Sequence, residues 1–205
     1  VLNPIKLTII NYPNNKKEIL KILNHPHNDS LGYREVPFCN ELYIEKDDYM
    51  EDAPNKFKRF SIGKEVRLRG SYCVTCKEVK KDTDGNVIEI LCTYDPETLG
   101  KNPPDGRKVK GIVHWVSVKD SSDAEIRVYD RLFTVPNPLH DKNKNFKEFI
   151  NKNSLKIIKG KIEKSLKKAK PLDKFQFERI GYFCADDDYT KSYPIFNQTI
   201  SLRGK

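Results

Sequence analysis

Short runs of alternating β-branched, aromatic and polar residues recur along this chain, and turn chemistry closes each one within about ten residues. Side chains alternate across a strand with period two, so such a run buries one face and wets the other. The clearest signal is Asp82-Thr83-Asp84-Gly85-Asn86, which separates the β-rich runs 72–79 and 87–94. Asp-Gly supplies the backbone geometry of a tight hairpin. Further strands are expected at 5–11, 36–46, 64–69, 108–118, 125–135, 155–162, 175–184 and 196–202. Pro136-Asn137-Pro138 stops regular structure, residues 146–151 fit one or two helical turns, and 163–170 reads as a basic, short helical piece. Many short strands with little helix specify an all-β barrel or sandwich.

Composition narrows the class further. The 205 residues suffice for one large domain or two small ones. With 37% hydrophobic and 33% charged residues, thin barrels are easier to build than a thick layered core. The net charge of +9 favours a polyanionic partner, because neutralising phosphates releases condensed counterions. The one biased stretch, the lysine-rich 142–170, reads either as a solvated face or as a phosphate contact. No segment approaches the roughly 20 apolar residues of a membrane span. The start, Val-Leu-Asn-Pro, has neither an initiator Met nor a signal-peptide pattern, so the chain is expected to be an internal piece of a longer polypeptide.

Catalytic patterns are missing from the sequence: there is no Gly-rich phosphate loop, His-Glu-x-x-His or nucleophile elbow. Cysteines 39, 73, 76, 92 and 184 are odd in number and scattered, which points to free thiols in a reducing compartment. Cys73 and Cys76 form a CxxC, but on a strand they face opposite sides, and no second pair completes four zinc ligands. His25, His27, His114 and His140 are dispersed, and His114 beside Trp115 reads as a packed or partner-bonded residue rather than a base.

Two clusters carry binding chemistry. Lys56-Phe57-Lys58-Arg59-Phe60 interleaves cations with aromatics, and Arg67 and Arg69 share a strand face opposite Val66 and Leu68. Arginine forks bond base edges and stack on unpaired bases, as recognition of a single-stranded loop requires. Phe175-Gln176-Phe177-Glu178-Arg179 sets phenylalanines on one face and Gln176 with Glu178 on the other. An ordinary amphipathic strand with a wet side produces the same two patterns, and the pattern alone does not decide.

Taken in order, a set of motifs resembles the C-terminal anticodon-binding region of glutaminyl-tRNA synthetases. They are Val36-Pro37-Phe38 with Leu42-Tyr43-Ile44, then 63–69, Cys92-Thr93-Tyr94-Asp95, 105–111 and His114-Trp115-Val116-Ser117. Residues 129–133, Val135-Pro136-Asn137-Pro138, 175–179 and Gly181-Tyr182-Phe183-Cys184 complete the series. The resemblance implies two stacked β-barrels with a few short helices. The proximal one would take 1–54 plus 136–205 and the distal one 55–135. It implies the glutamine tRNA anticodon loop as partner, with Arg59 at the third base, Arg67 and Arg69 at the first base and its phosphate, and Gln176 with Arg179 at the middle uracil. Lys58 neighbours the reading arginine, and Lys56 stands where some relatives place a glutamine of the middle-base pocket. It also implies a cytoplasmic parent ligase using ATP with magnesium, its catalytic domain lying outside this chain. The class I signatures of the His-Ile-Gly-His and Lys-Met-Ser-Lys-Ser types do not occur here, so no catalytic residue is expected in this piece. The competing readings are a glutamyl-tRNA synthetase tail, a ribosomal-type RNA-binding barrel and a protein-interaction module. Membership of a multi-synthetase assembly is left open by the residues.

Overall fold

A computed structural model describes residues 1–25 and 27–202. The strands are β1 (Pro4–Ile9), β2 (Glu18–Leu23), β3 (Tyr33–Phe38), β4 (Glu41–Glu45), β5 (Glu65–Leu68), β6 (Cys73–Lys81) and β7 (Val87–Asp95). They continue with β8 (Ile112–Val113), β9 (Val116–Ser117), β10 (Ser122–Tyr129), β11 (Leu155–Ile162), β12 (Lys174–Phe177), β13 (Gly181–Ala185) and β14 (Ile195–Ser201). Helical structure among the described residues is confined to short 3-10 turns, the longest being Lys164–Lys168. The protein is all-β, as the strand-and-turn pattern requires.

The chain divides into two compact units, Val1–Asp123 with Gly160–Lys168, and Ala124–Lys159 with Ala169–Lys205. The first holds a seven-stranded sheet in the order β8-β5-β6-β7-β1-β4-β9. Laid flat, six steps of about 4.8 Å would part its edges by about 29 Å. Yet the edge strands β8 and β9 are joined by His114 and Trp115 alone, and three residues of extended chain reach at most about 11 Å. The sheet must therefore curl, bringing the linked ends of its two edge strands together. Leu7, Leu42, Ile44, Leu68, Val74, Ile90 and Trp115 fill the inside, and the β2–β3 ribbon adds Leu20, Ile22, Val36 and Phe38 to that core.

The second unit is built on a five-stranded sheet in the order β11-β10-β14-β13-β12. Its core is small: Ala124, Ile126, Phe177, Phe183, Ala185, Tyr189, Ile195 and Phe196 are buried. Phe177 stacks on Phe183 at 4.2 Å between centroids and meets Phe196 edge-on at 5.4 Å.

Several expectations are corrected. Residues 175–184 form two antiparallel strands, β12 and β13, because the chain reverses at Arg179, which adopts φ 60°. The run 36–46 splits into β3 and β4, and 108–118 contains only the two-residue strands β8 and β9. β2 was not expected at all: Leu20 and Ile22 face the core while Ile19 is exposed, so its hydrophobic residues do not keep one alternating face. The compact units group residues differently from the partition into 1–54 plus 136–205 and 55–135, which stays an expectation. β1 and β4, from the first of those segments, pair with β7 and β9 from the second, so one rolled sheet draws on both. Within β6, Cys76 joins Val74 in the core, while Cys73 lies on the opposite face, where its amide donates to Thr98 Oγ1 at 2.9 Å.

Candidate nucleic-acid interface

The β5–β6 turn presents two of the expected residues, Arg67 and Arg69. Leu68 and Ser71 close it with a 2.9 Å backbone bond, and Gly70 supplies its positive φ of 66°. A Cβ on Gly70 would also stand 2.9 Å from Ile22 Cγ1. The backbone of the turn is pinned from outside. Arg69 N–H donates to Val113 O at 2.9 Å, and Arg69 O accepts from Trp115 Nε1 at 3.0 Å. The Arg67 guanidinium donates to the carbonyls of Ser71 (3.1 Å), Thr98 (2.8 Å) and Lys101 (2.6 Å). Arg67 therefore fastens its own turn to the loop after β7.

Lys56 and Lys58 are exposed on an irregular segment ahead of β5, with Lys58 Nζ 3.1 Å from Asn55 O. Arg59 is anchored instead. Its Nε lies 3.2 Å from Asp48 Oδ1, its Nη1 donates to Asp47 O at 3.3 Å, and its guanidinium sits 5.9 Å from the Phe57 ring centroid. Asp48 is fully buried, so the Arg59 side chain is tied to the protein frame. Gly111 joins this segment to β5. Its carbonyl accepts from Arg67 N–H at 2.8 Å, and a Cβ there would fall 2.0 Å from Lys58 O. Segment 56–59 and the β5 arginines are thus brought together in the first unit.

Gln176 and Arg179 belong to the second unit. Gln176 is exposed on β12 opposite Tyr182 of β13, which in turn lies opposite Ile200 of β14, making a solvent-facing row across three strands. Arg179 is half-buried at the β12–β13 turn, where Ile180 N–H donates to Phe177 O at 2.9 Å. Glu178 lies in this turn, beyond the end of β12, so it does not extend the Gln176 face as expected.

The sequence did not reveal the frame behind the first cluster. Tyr12, Phe38, Tyr72, Tyr94 and Trp115 form a chain of edge-on and tilted rings with centroids 5.0–5.4 Å apart. Tyr12 and Tyr72 both donate to Glu18 Oε2, at 2.9 and 2.8 Å, while Lys16 reaches Oε1 at 2.6 Å. Burial pushes the Glu18 carboxyl up, but donation from Lys16, Tyr72 and Tyr12 outweighs it and holds the group below its ordinary value. Burial and the same carboxylate push both tyrosines well above theirs. Arg107 binds Glu65, Asp105 and Asp95, and these three hydrogen-bonded carboxylates raise its pKa further. Arg34 forms a bidentate pair with Glu163 at 2.7 and 2.9 Å.

Anchored arginines beside exposed lysines in the first unit, and the exposed Gln176–Tyr182–Ile200 row in the second, are side chains of the kind that can meet phosphates and base edges. The chain belongs to the anticodon-binding domains of class I Glu- and Gln-tRNA synthetases: family models described as "tRNA synthetases class I (E and Q), anti-codon binding domain" match residues 1–95 and 112–186. Among individual proteins it is similar to the glutamine–tRNA ligases of Vibrio cholerae and Vibrio parahaemolyticus, each 52% identical over 204 residues. The Aliivibrio fischeri glutamine–tRNA ligase is likewise 52% identical over 204 residues. These matches cover 99% of the chain but only 36%, 36% and 37% of the respective relatives, so the chain spans little more than a third of their length.

Proposed function

We propose that this chain is the anticodon-binding region of a glutamine–tRNA ligase and that its partner is the anticodon loop of glutamine tRNA. The observation that carries the reading is the Arg59 anchor: a guanidinium tied to buried Asp48, beside an aromatic ring and directly after two exposed lysines, Lys56 and Lys58. A guanidinium so oriented meets a base edge with little rotamer entropy left to lose, while Lys56 and Lys58 neutralise the flanking phosphates. In this reading Arg59 takes the third anticodon base and Arg69 the first with its phosphate. Arg67 contributes chiefly by holding the Arg69 turn. Gln176, with Arg179 close in sequence, takes the middle uracil. Joining glutamine to tRNA with ATP and magnesium is the work of the part of the relatives that this chain does not span, the catalytic domain of the same polypeptide, in the cytoplasm. No helix among the described residues is long and apolar enough to cross a membrane.

Calorimetric titration of the chain with anticodon stem-loops tests this. Tighter binding of the glutamine stem-loop than of the glutamate one is expected, with affinity falling as salt rises. Equal affinity for every anticodon would defeat the reading.

A further inference from the structure

Residues 142–170 contain eleven lysines and two glutamates, a net charge of +9. The whole chain also carries +9, so the remaining residues balance at 27 basic against 27 acidic. The excess charge is thus placed entirely outside the segments that carry Arg59, Arg67, Arg69 and Gln176. A salt-dependent, sequence-independent attraction to phosphate depends on such local excess.

Part of this stretch lies on a built scaffold in the second unit. Beyond β10 and before β11 the chain folds back on itself: Asp130 N–H donates to Ser154 O, Asn151 N–H to Leu132 O, and Thr134 N–H to Phe149 O, each at 2.8 Å. Asn145 and Glu148 cap the 3-10 turn Phe146–Phe149 reciprocally, and Phe133 meets Phe146 at 6.5 Å. Lys147, Lys152, Lys156 and Lys159 are exposed on this extension and on β11, and none lies within 4.0 Å of a carboxylate among the described residues. β11 is an edge strand, and an edge lysine or two would discourage strand pairing. That purpose does not account for Lys147 and Lys152, which lie off the strand.

We infer that the β10–β11 extension is a second RNA contact, which binds the ribose–phosphate backbone without reading bases. The partner follows from the proposed function, and the contact is separate from the base-reading cluster. Each lysine here acts as a point charge on a phosphate, so removing it lowers affinity for all sequences alike and flattens the salt dependence.

The test compares the full chain with a Lys147→Gln, Lys152→Gln, Lys156→Gln variant, and with a Lys21→Gln, Lys77→Gln, Lys191→Gln control that removes equal charge from other exposed positions. Binding of a fluorescent glutamine anticodon stem-loop is measured from about 50 to 200 mM salt. The expected result is a slope of log K against log salt reduced by about 2 to 3 in the first variant, with the ratio between anticodons unchanged. A slope equal to that of the wild type, or an equal loss in the control, overturns the inference. So does a lysine-dependent affinity seen only for anionic lipid vesicles. If the wild type fails to distinguish anticodons while the first variant alone loses slope, the backbone contact stands and the anticodon reading falls.

Discussion

Arg67 and Arg59 are both expected RNA contacts, yet the protein uses them differently. Arg67 spends donors on three backbone carbonyls, whereas Arg59 is held by one buried carboxylate and a neighbouring carbonyl. A hydrogen bond from a charged donor is worth about 1.5–3 kcal/mol, and orphaning its acceptor adds to the loss. Arg67→Met is therefore expected to destabilise the fold by about 2–3 kcal/mol, read from the urea midpoint, and to weaken all stem-loops alike. Arg59→Ala is expected to cost about 1–3 kcal/mol of binding to the glutamine stem-loop and to relax preference at the third anticodon base. If the unfolding curve of Arg67→Met matched the wild type while first-base preference vanished, Arg67 would be a reader rather than a fastener.

At the scale of elements, the β2–β3 ribbon is tied to the rolled sheet through Glu18, which accepts from Tyr12, Tyr72 and Lys16. A free glutamate titrates near pH 4.3, and the folded value of Glu18 lies below the ordinary one. Its contribution is therefore complete above about pH 4.3 and is lost as pH falls through the folded value. The two tyrosines are shifted the other way, so their contribution is complete below about pH 10 and is lost as pH rises beyond it. Glu18→Gln should flatten the acid limb of stability, followed by urea unfolding between pH 3 and 7 (a range set about the free glutamate value); parallel profiles for variant and wild type would remove Glu18 from that role. Neither Glu18 nor its partners stood out in the sequence, because the bond to Tyr72 joins residues 54 apart. The hairpin of β6 and β7 was legible, since Asp-Gly demands a turn locally and Gly85 indeed takes φ 80°. The β12–β13 reversal was not, because Arg179 occupies a left-handed position that normally advertises itself with glycine or asparagine. The candidate site shows the same division. Its cations were visible as residue types, while Asp48, Gly111 and Trp115 hold them through contacts that only the folded chain creates.

For the molecule as a whole, the positions of the five free cysteines turn the unit boundaries into a measurement. Cys39, Cys73, Cys76 and Cys92 are buried in the unit that contains the rolled sheet, and Cys184 is half-buried in the other. The partition implied by family resemblance would instead set Cys39 apart from the other three, in 1–54 against 55–135. Local opening follows cooperative bodies, and a buried thiol becomes reactive only when its body opens. Since β1 and β4 hydrogen-bond to β7 and β9, a rolled sheet that opens as one body must release all four thiols together. Pulsed thiol labelling along a urea series should modify Cys184 first, without denaturant. Cys39, Cys73, Cys76 and Cys92 should then follow in a single transition. A separate, earlier step for Cys39 would show that the chain opens along the two-barrel partition, with the pairing between β1 and β7 as the joint that gives way.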